Sequence, residues 1–98
     1  MVDAVMKKGR VIHSSFFMMR VLPAPGPFRM AAISPVKAAH KAVDRNKMRR
    51  RVYAAVSVGK LKEGFHVALI ARQTVLEADH SSLKADIEAL FVKAGLLR

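Results

Sequence analysis

The residues best equipped for chemistry lie between Lys37 and Arg51. This stretch carries Lys37, Lys41, Arg45, Lys47, Arg49, Arg50 and Arg51 against one acid, Asp44. Ammonium and guanidinium groups at that density bind phosphates, because each neutralised phosphate releases condensed counterions. A charge run often marks only a solvated face, but this one is too local to serve general solubility. Side chains able to run a reaction alone are poorly placed. His13, His40, His66 and His80 are scattered, without metal-ligand spacing. The chain has no cysteine, which excludes disulfides, thiolate metal sites and thiol nucleophiles. Glu63, Glu77, Asp79, Asp86 and Glu88 suit caps and helix surfaces rather than a paired-carboxylate site. The glycines form no phosphate-cradling loop. The chemistry on offer is binding, with no catalytic group and no metal held by the protein.

The charge is as uneven along the chain as within that stretch. Of 98 residues, 18 are Lys or Arg and 7 are Asp or Glu, a formal charge of +11. Residues 1–51 hold 12 of the basic residues and 2 of the acids, a net of +10; residues 52–98 hold 6 and 5, a net of +1. The second half reads as scaffold. The length allows a single domain over 1–98, and 52% hydrophobic content argues against disorder. No apolar run approaches the ~18 residues of a membrane span, and Met1 to Lys8 lacks a signal peptide's apolar stretch. A small cytoplasmic domain without membrane contact is expected.

Several elements must position the basic stretch. Val11 to Leu22 reads as extended, with Phe17, Met19 and Val21 on an apolar face and Phe16, Met18, Arg20 and Leu22 on a mixed one. Pro23-Ala24-Pro25-Gly26-Pro27 is a turn, and Phe28 to Ile33 is expected to return as the second strand of a hairpin. Ala38 to about Val58 has no Gly or Pro until Gly59 and favours a helix. Phe65 to Ala71 is apolar enough for a central strand. Asp79, Ser81 and Ser82 offer N-cap chemistry for a last helix, whose Leu83, Ile87, Leu90, Phe91 and Ala94 form one apolar stripe ending at Gly95. The fold class is α+β, a small two-layer α/β sandwich.

On the basic helix, Ala42, Arg45, Arg49, Val52 and Val56 share one side, which puts two arginines inside a stripe that ought to be apolar. Like charges recur at i, i+4 in Lys37–Lys41, Lys41–Arg45, Arg45–Arg49 and Lys47–Arg51. Each such pair costs an isolated helix roughly 0.2–0.5 kcal/mol. A polyanionic neighbour explains this strain; arginine stems lying over the core with their heads in water are the alternative.

The segment Ser34-Pro35-Val36-Lys37, followed by Ala42-Val43-x-Arg45-Asn46-x-x-Arg49-Arg50, resembles the signature of the bacterial ribonuclease P protein subunit family. Val5-x-x-x-Gly9 looks like the end of that family's first helix, Gly64-Phe65-x-Val67-x-x-Ile70-Ala71-Arg72 its fourth strand, and Leu83 to Leu97 its final helix. The resemblance implies the order α-β-β-β-α-β-α, a first helix cut short, and a central mixed sheet with the basic helix in a left-handed crossover, where general rules favour the right-handed one. It implies the non-catalytic protein subunit of an endoribonuclease whose RNA subunit, the P RNA, removes the 5′ leader of precursor tRNA using Mg²⁺. Matching positions make Lys37, Arg45, Asn46, Arg49 and Arg50 the RNA contacts, and Lys41 and Lys47 of the same basic stretch are RNA-binding candidates beside them.

Phe16 and Arg20, with Tyr53, are candidates for the leader, since base–aromatic stacking tolerates any sequence. The chain departs from the family pattern in three places. Val2 stands where an aromatic is usual, so a leader cleft lacking one wall is expected. Lys47 replaces an arginine, a point charge for a planar fork, and Tyr53 stands where a further arginine is common. Charge alone also fits a general structural RNA-binding, ribosome-associated or RNA-chaperone protein. A DNA-binding helix is weaker, because Pro35 precedes the helix in place of a turn-helix partner.

Overall fold

The computed structural model describes residues 2–56 and 61–97. The element order is α1 (Val2–Lys8), β1 (Arg10–His13), β2 (Phe17–Pro23), β3 (Arg29–Ile33), α2 (Ala42–Ala55), β4 (Phe65–Ala71), a 3₁₀ turn over Gln73–Leu76, and α3 (His80–Lys93). The mixed α+β order matches expectation; the short 3₁₀ turn is an element that periodicity did not signal.

The extended stretch from Val11 is two strands rather than one. Ser14 breaks it: its hydroxyl accepts from the Phe17 N–H at 3.1 Å and donates to Asp86 Oδ2 at 2.6 Å. A serine that bonds backbone three residues on makes its own turn. The alternation within β2 is as read, with Phe17, Met19 and Val21 buried and Met18, Arg20 and Leu22 half-buried.

The expected hairpin of β2 with β3 does not form. The sheet order is β1-β2-β4-β3, with β4 antiparallel to β2 and parallel to β3. The proline-rich connection gives its backbone groups to the start of β4 instead. Ala24 N–H donates to the Gly64 carbonyl and Gly64 N–H to the Gly26 carbonyl, each at 2.9 Å. Pro25 and Pro27 have no N–H to offer a partner strand. Gly26 and Gly64 hold positive φ angles of 103° and 88°, which lets the two segments meet. β4 is therefore central, over the bounds expected.

One sheet face carries the main core. Phe17, Met19, Val67, Leu69 and Ala71 pack there against Met48 and Val52 of α2 and Leu83, Ile87, Leu90 and Phe91 of α3. Phe28 meets Phe91 edge-on, with ring centroids 6.4 Å apart. The stripe expected on α3 is buried as read. Asp79 caps it by accepting from the Ser82 N–H at 2.8 Å, and Gly95 ends it with a φ of 71°. α2 is shorter than expected. Pro35 accepts from Ala38 and Ala39 N–H, so the lead-in is a turn, and Val56 is already extended. Ser57, Val58 and Gly59 lie outside the described residues. Its buried side is Met48, Val52 and Ala55, with Ala42 exposed and Arg45 and Arg49 at the margins, so the stripe is rotated toward Met48 from the one expected.

On the other face, α1 covers part of the sheet, with Val5 and Ala68 buried. Gly9 ends this helix against β2, where a β-carbon would stand 2.4 Å from the Val5 carbonyl oxygen and 3.2 Å from Arg20 Cβ. Gly9→Ala must push backbone aside and should cost about 1–3 kcal/mol, seen as a lower urea midpoint at unchanged m-value.

Ser82, through its hydroxyl first and its backbone N–H second, holds the Asp79 carboxyl below its usual range. A depressed carboxyl contributes stability that is present above its unfolded pKa and is lost as pH falls through the folded one. Acid titration below about pH 4 should therefore erode the α3 cap in the native chain. Asp79→Asn, which keeps a cap acceptor but does not titrate, should show a shallower fall in melting temperature over that range.

Candidate nucleic-acid interface

The cations of the basic stretch separate into two groups. Arg45 donates from Nη1 to the Ala39 carbonyl at 3.0 Å and to the His40 carbonyl at 2.8 Å, tying down the lead-in to α2. Arg51 donates to the Val75 and Leu76 carbonyls at 2.8 Å each and also to the Ala78 carbonyl. These carbonyls belong to the 3₁₀ turn and its exit, so Arg51 fastens α2 to the approach to α3. Ser34, the first residue of the motif, is nearly buried, with its hydroxyl on Met48 Sδ at 2.8 Å. Lys41, Asn46, Lys47 and Arg50 instead face solvent, and half-buried Arg49 donates to Asn46 Oδ1.

This division revises the strain expected in the helix. Lys37 lies in the turn before α2 and Lys41 is the N-cap residue, so Lys37–Lys41 is not a helical pair. Arg51 of the Lys47–Arg51 pair keeps its charge but is solvated by the carbonyl oxygens it donates to. Lys41–Arg45, at the helix start, and Arg45–Arg49 remain, and both share Arg45, which is likewise engaged.

Lys37 belongs to a different place, a cleft of about 300 Å³ at the end of the sheet lined by Met18, Pro35, Ile70, Arg72 and Gln73 among others. Met18 and Ile70 are cross-strand partners and form an apolar floor; Lys37 and Arg72 are its cations. Arg72 is further set by His13, whose Nδ1 lies 3.0 Å from Nη2. Arg20 lies on this sheet face, nearer α1, and its buried Nε finds no acceptor among the described residues. Phe16 is half-buried against the main core, which lies on the opposite face from Arg20. The Val2 side chain, expected to leave the cleft short of a wall, lies outside the described residues.

Tyr53 is not near Arg20. Its hydroxyl accepts from the Ala32 N–H of β3 at 3.0 Å, at the sheet edge two strands away from β2. It shares a groove of about 560 Å³ with Val43, Asn46, Arg49 and Arg50. The structure thus brings together most of the motif residues on α2 with Tyr53 beside them, but sets Lys37, Arg20 and Phe16 apart. Arg72 was missed as a candidate; the only hint was its place at the end of the β4 motif. Of the histidines, His13 ends β1, His66 lies within β4, His80 begins α3 and His40 is exposed.

A protein-family model described as Ribonuclease P matches residues 2–95. The chain belongs to the ribonuclease P protein family. The ribonuclease P protein component of Caldanaerobacter subterraneus subsp. tengcongensis is 30% identical over 94 residues, covering 94% of this chain and 81% of that protein. That of Symbiobacterium thermophilum is 38% identical over 60 residues, 59% of this chain and 52% of its own. Among solved structures, the ribonuclease P protein of Thermotoga maritima in complex with 1-(4-fluorophenyl)-2-thiourea superposes with a TM-score of 0.79 at 21% identity, covering 91% of this chain and 89% of that one. The Staphylococcus aureus ribonuclease P protein gives 0.79 at 19% identity, over 99% and 91%. These two likenesses show the fold. As a ribonuclease P component, the protein is part of an endoribonuclease ribonucleoprotein of tRNA processing.

The two groups of cations should separate by experiment. Arg51→Ala removes hydrogen bonds to partly buried carbonyls and should lower stability by roughly 1.5–3 kcal/mol, with the salt dependence of RNA binding unchanged. Arg50→Ala should leave the unfolding midpoint alone and reduce the slope of log affinity against log salt by about 1.

Proposed function

We propose that the protein grips the P RNA with the outward face of α2 and holds the single-stranded 5′ leader of precursor tRNA along the open sheet face toward the cleft at Lys37. The observation that carries this is the division among the cations. Arg45 and Arg51 are used on carbonyls and make α2 rigid, while Lys41, Lys47 and Arg50 reach solvent from that rigid frame. A helix already anchored leaves only side chains to be ordered when its cations meet phosphates.

The leader reading rests on the sheet face between Arg20 and the cleft. An apolar floor of Met18 and Ile70 accepts bases, and Lys37 and Arg72 stand at phosphate positions. Arg20 adds a guanidinium to the same face, half-buried and with its Nε lacking an acceptor among the described residues. Phe16, half-buried against the main core on the opposite face, takes no part in this path.

Hydrolysis is assigned to the RNA subunit. The Mg²⁺ ion goes with the RNA subunit in this reading, as the family resemblance implies; among the described residues no three His, Cys, Asp or Glu side chains come together. No helix of the described residues is long and apolar enough to cross a membrane; we place the protein in the cytoplasm with its tRNA precursors.

Reconstitution tests this directly. With a bacterial-type P RNA at low Mg²⁺, adding the protein should raise precursor-tRNA cleavage, and it should bind precursor more tightly than mature tRNA. Equal affinity for the two, with no stimulation at any protein concentration, would show a general RNA-binding protein.

A further inference from the structure

The groove on the exposed side of α2 has a composition that phosphate binding does not need. Val43 and Tyr53, 65% and 50% exposed, stand at its two ends, with Asn46, Arg49 and Arg50 between. Positions 43, 46, 50 and 53 recur at helical spacing, so the five side chains form one continuous surface. An exposed valine and an exposed tyrosine on the most basic helix of the chain cost solubility and add nothing to charge.

The tyrosine is also fixed. Its hydroxyl accepts the Ala32 N–H at 3.0 Å, which pins the far end of the ring to β3 and leaves half of the residue open. That bond occupies an outward N–H of the edge strand, so addition of a further strand from a protein partner is opposed at this point. Arg49 holds the Asn46 carboxamide by its oxygen, which leaves the amide N–H₂ as the donating end.

We infer that this groove is a binding site for an unpaired nucleotide of the RNA partner, with the base stacked on Tyr53, its edge read by Asn46 Nδ2 and its phosphate held by Arg49 and Arg50. The inference rests on the RNA-binding reading above and adds a second single-strand site. It lies at the opposite side of the sheet from Arg20 and is separate from the leader path. An aromatic ring beside two guanidinium groups suits an unstacked base better than a duplex backbone.

Tyr53 is the one tyrosine of the chain, which has no tryptophan, so intrinsic tyrosine emission reports this site alone. The full chain should lose emission on titration with an unstructured oligouridylate. It should lose much less on saturation with an RNA duplex of equal charge. Tyr53→Ala should weaken oligouridylate binding on the order of 10-fold, Tyr53→Phe by no more than about 2-fold, and neither should alter duplex affinity. Melting temperatures of both variants control for the lost Ala32 bond, which they share. Equal quenching by single strand and duplex, or Tyr53→Ala binding as tightly as the parent, overturns the site. Equal losses in the Phe and Ala variants overturn stacking and leave only the hydroxyl's hold on β3. Quenching by P RNA alone or by precursor tRNA alone identifies which RNA supplies the nucleotide. Intact cleavage stimulation without quenching overturns this site while sparing the proposed function.

Discussion

β4 is paired on both edges, and the placement of every functional residue depends on that. Phe65–Ala71 is antiparallel along the whole of β2 and parallel along the whole of β3. The two faces of this strand differ in use: Ala68 lies on the face that α1 partly covers, while Val67 and Leu69 join the main core. The parallel pairing has a further consequence. To run beside β3 in the same direction, the chain must return from one end of the sheet to the other, which takes a crossover rather than a tight turn. α2 is that crossover. Its position is set by strand order, while its own buried side is only Met48, Val52 and Ala55.

A helix with so little apolar contact and so much positive charge needs other anchors. Arg45 and Arg51 supply them by pointing inward to carbonyl oxygens at the two ends of α2. A hydrogen bond from a charged donor is worth more than a neutral one, and the acceptors here are carbonyls that the turns themselves leave available. The same contacts disperse part of the positive charge that would otherwise repel within the helix. The basic stretch is thus partly self-stabilised, and the helix that carries its outward cations is anchored near both ends.

What could be read from the sequence was local. Asp79 with Ser82, the Leu83–Ala94 stripe, Gly95, the alternation of Phe17, Met19 and Val21, and the run from Phe65 to Ala71 each carry their cause within a few residues. What could not be read depends on distant competition. Whether β3 pairs with β2 is decided by a strand that comes some forty residues after the turn, and the break at Ser14 is secured by Asp86 on the last helix. The same holds for the site. That the stretch from Lys37 to Arg51 is basic is plain from composition, but which arginines turn inward depends on carbonyls such as Val75, 24 positions away from Arg51.

The inward and outward roles also account for which cation stands where. A guanidinium presents several N–H donors in a planar fork, so one side chain can satisfy two or three carbonyls at fixed angles; an ammonium is a compact point charge on a flexible stem. Arg45 and Arg51 both make contacts of the first kind, and a lysine could not reproduce them. At position 47 the side chain faces solvent, where neutralising a phosphate requires charge and reach but no fork. On the proposed reading, a lysine there keeps the electrostatic part of RNA binding and gives up only bidentate geometry. Tyr53 is the opposite kind of departure. It gives up a charge at the far end of the same helix and gains a ring fixed to β3, so the α2 surface exchanges some general attraction for a defined contact.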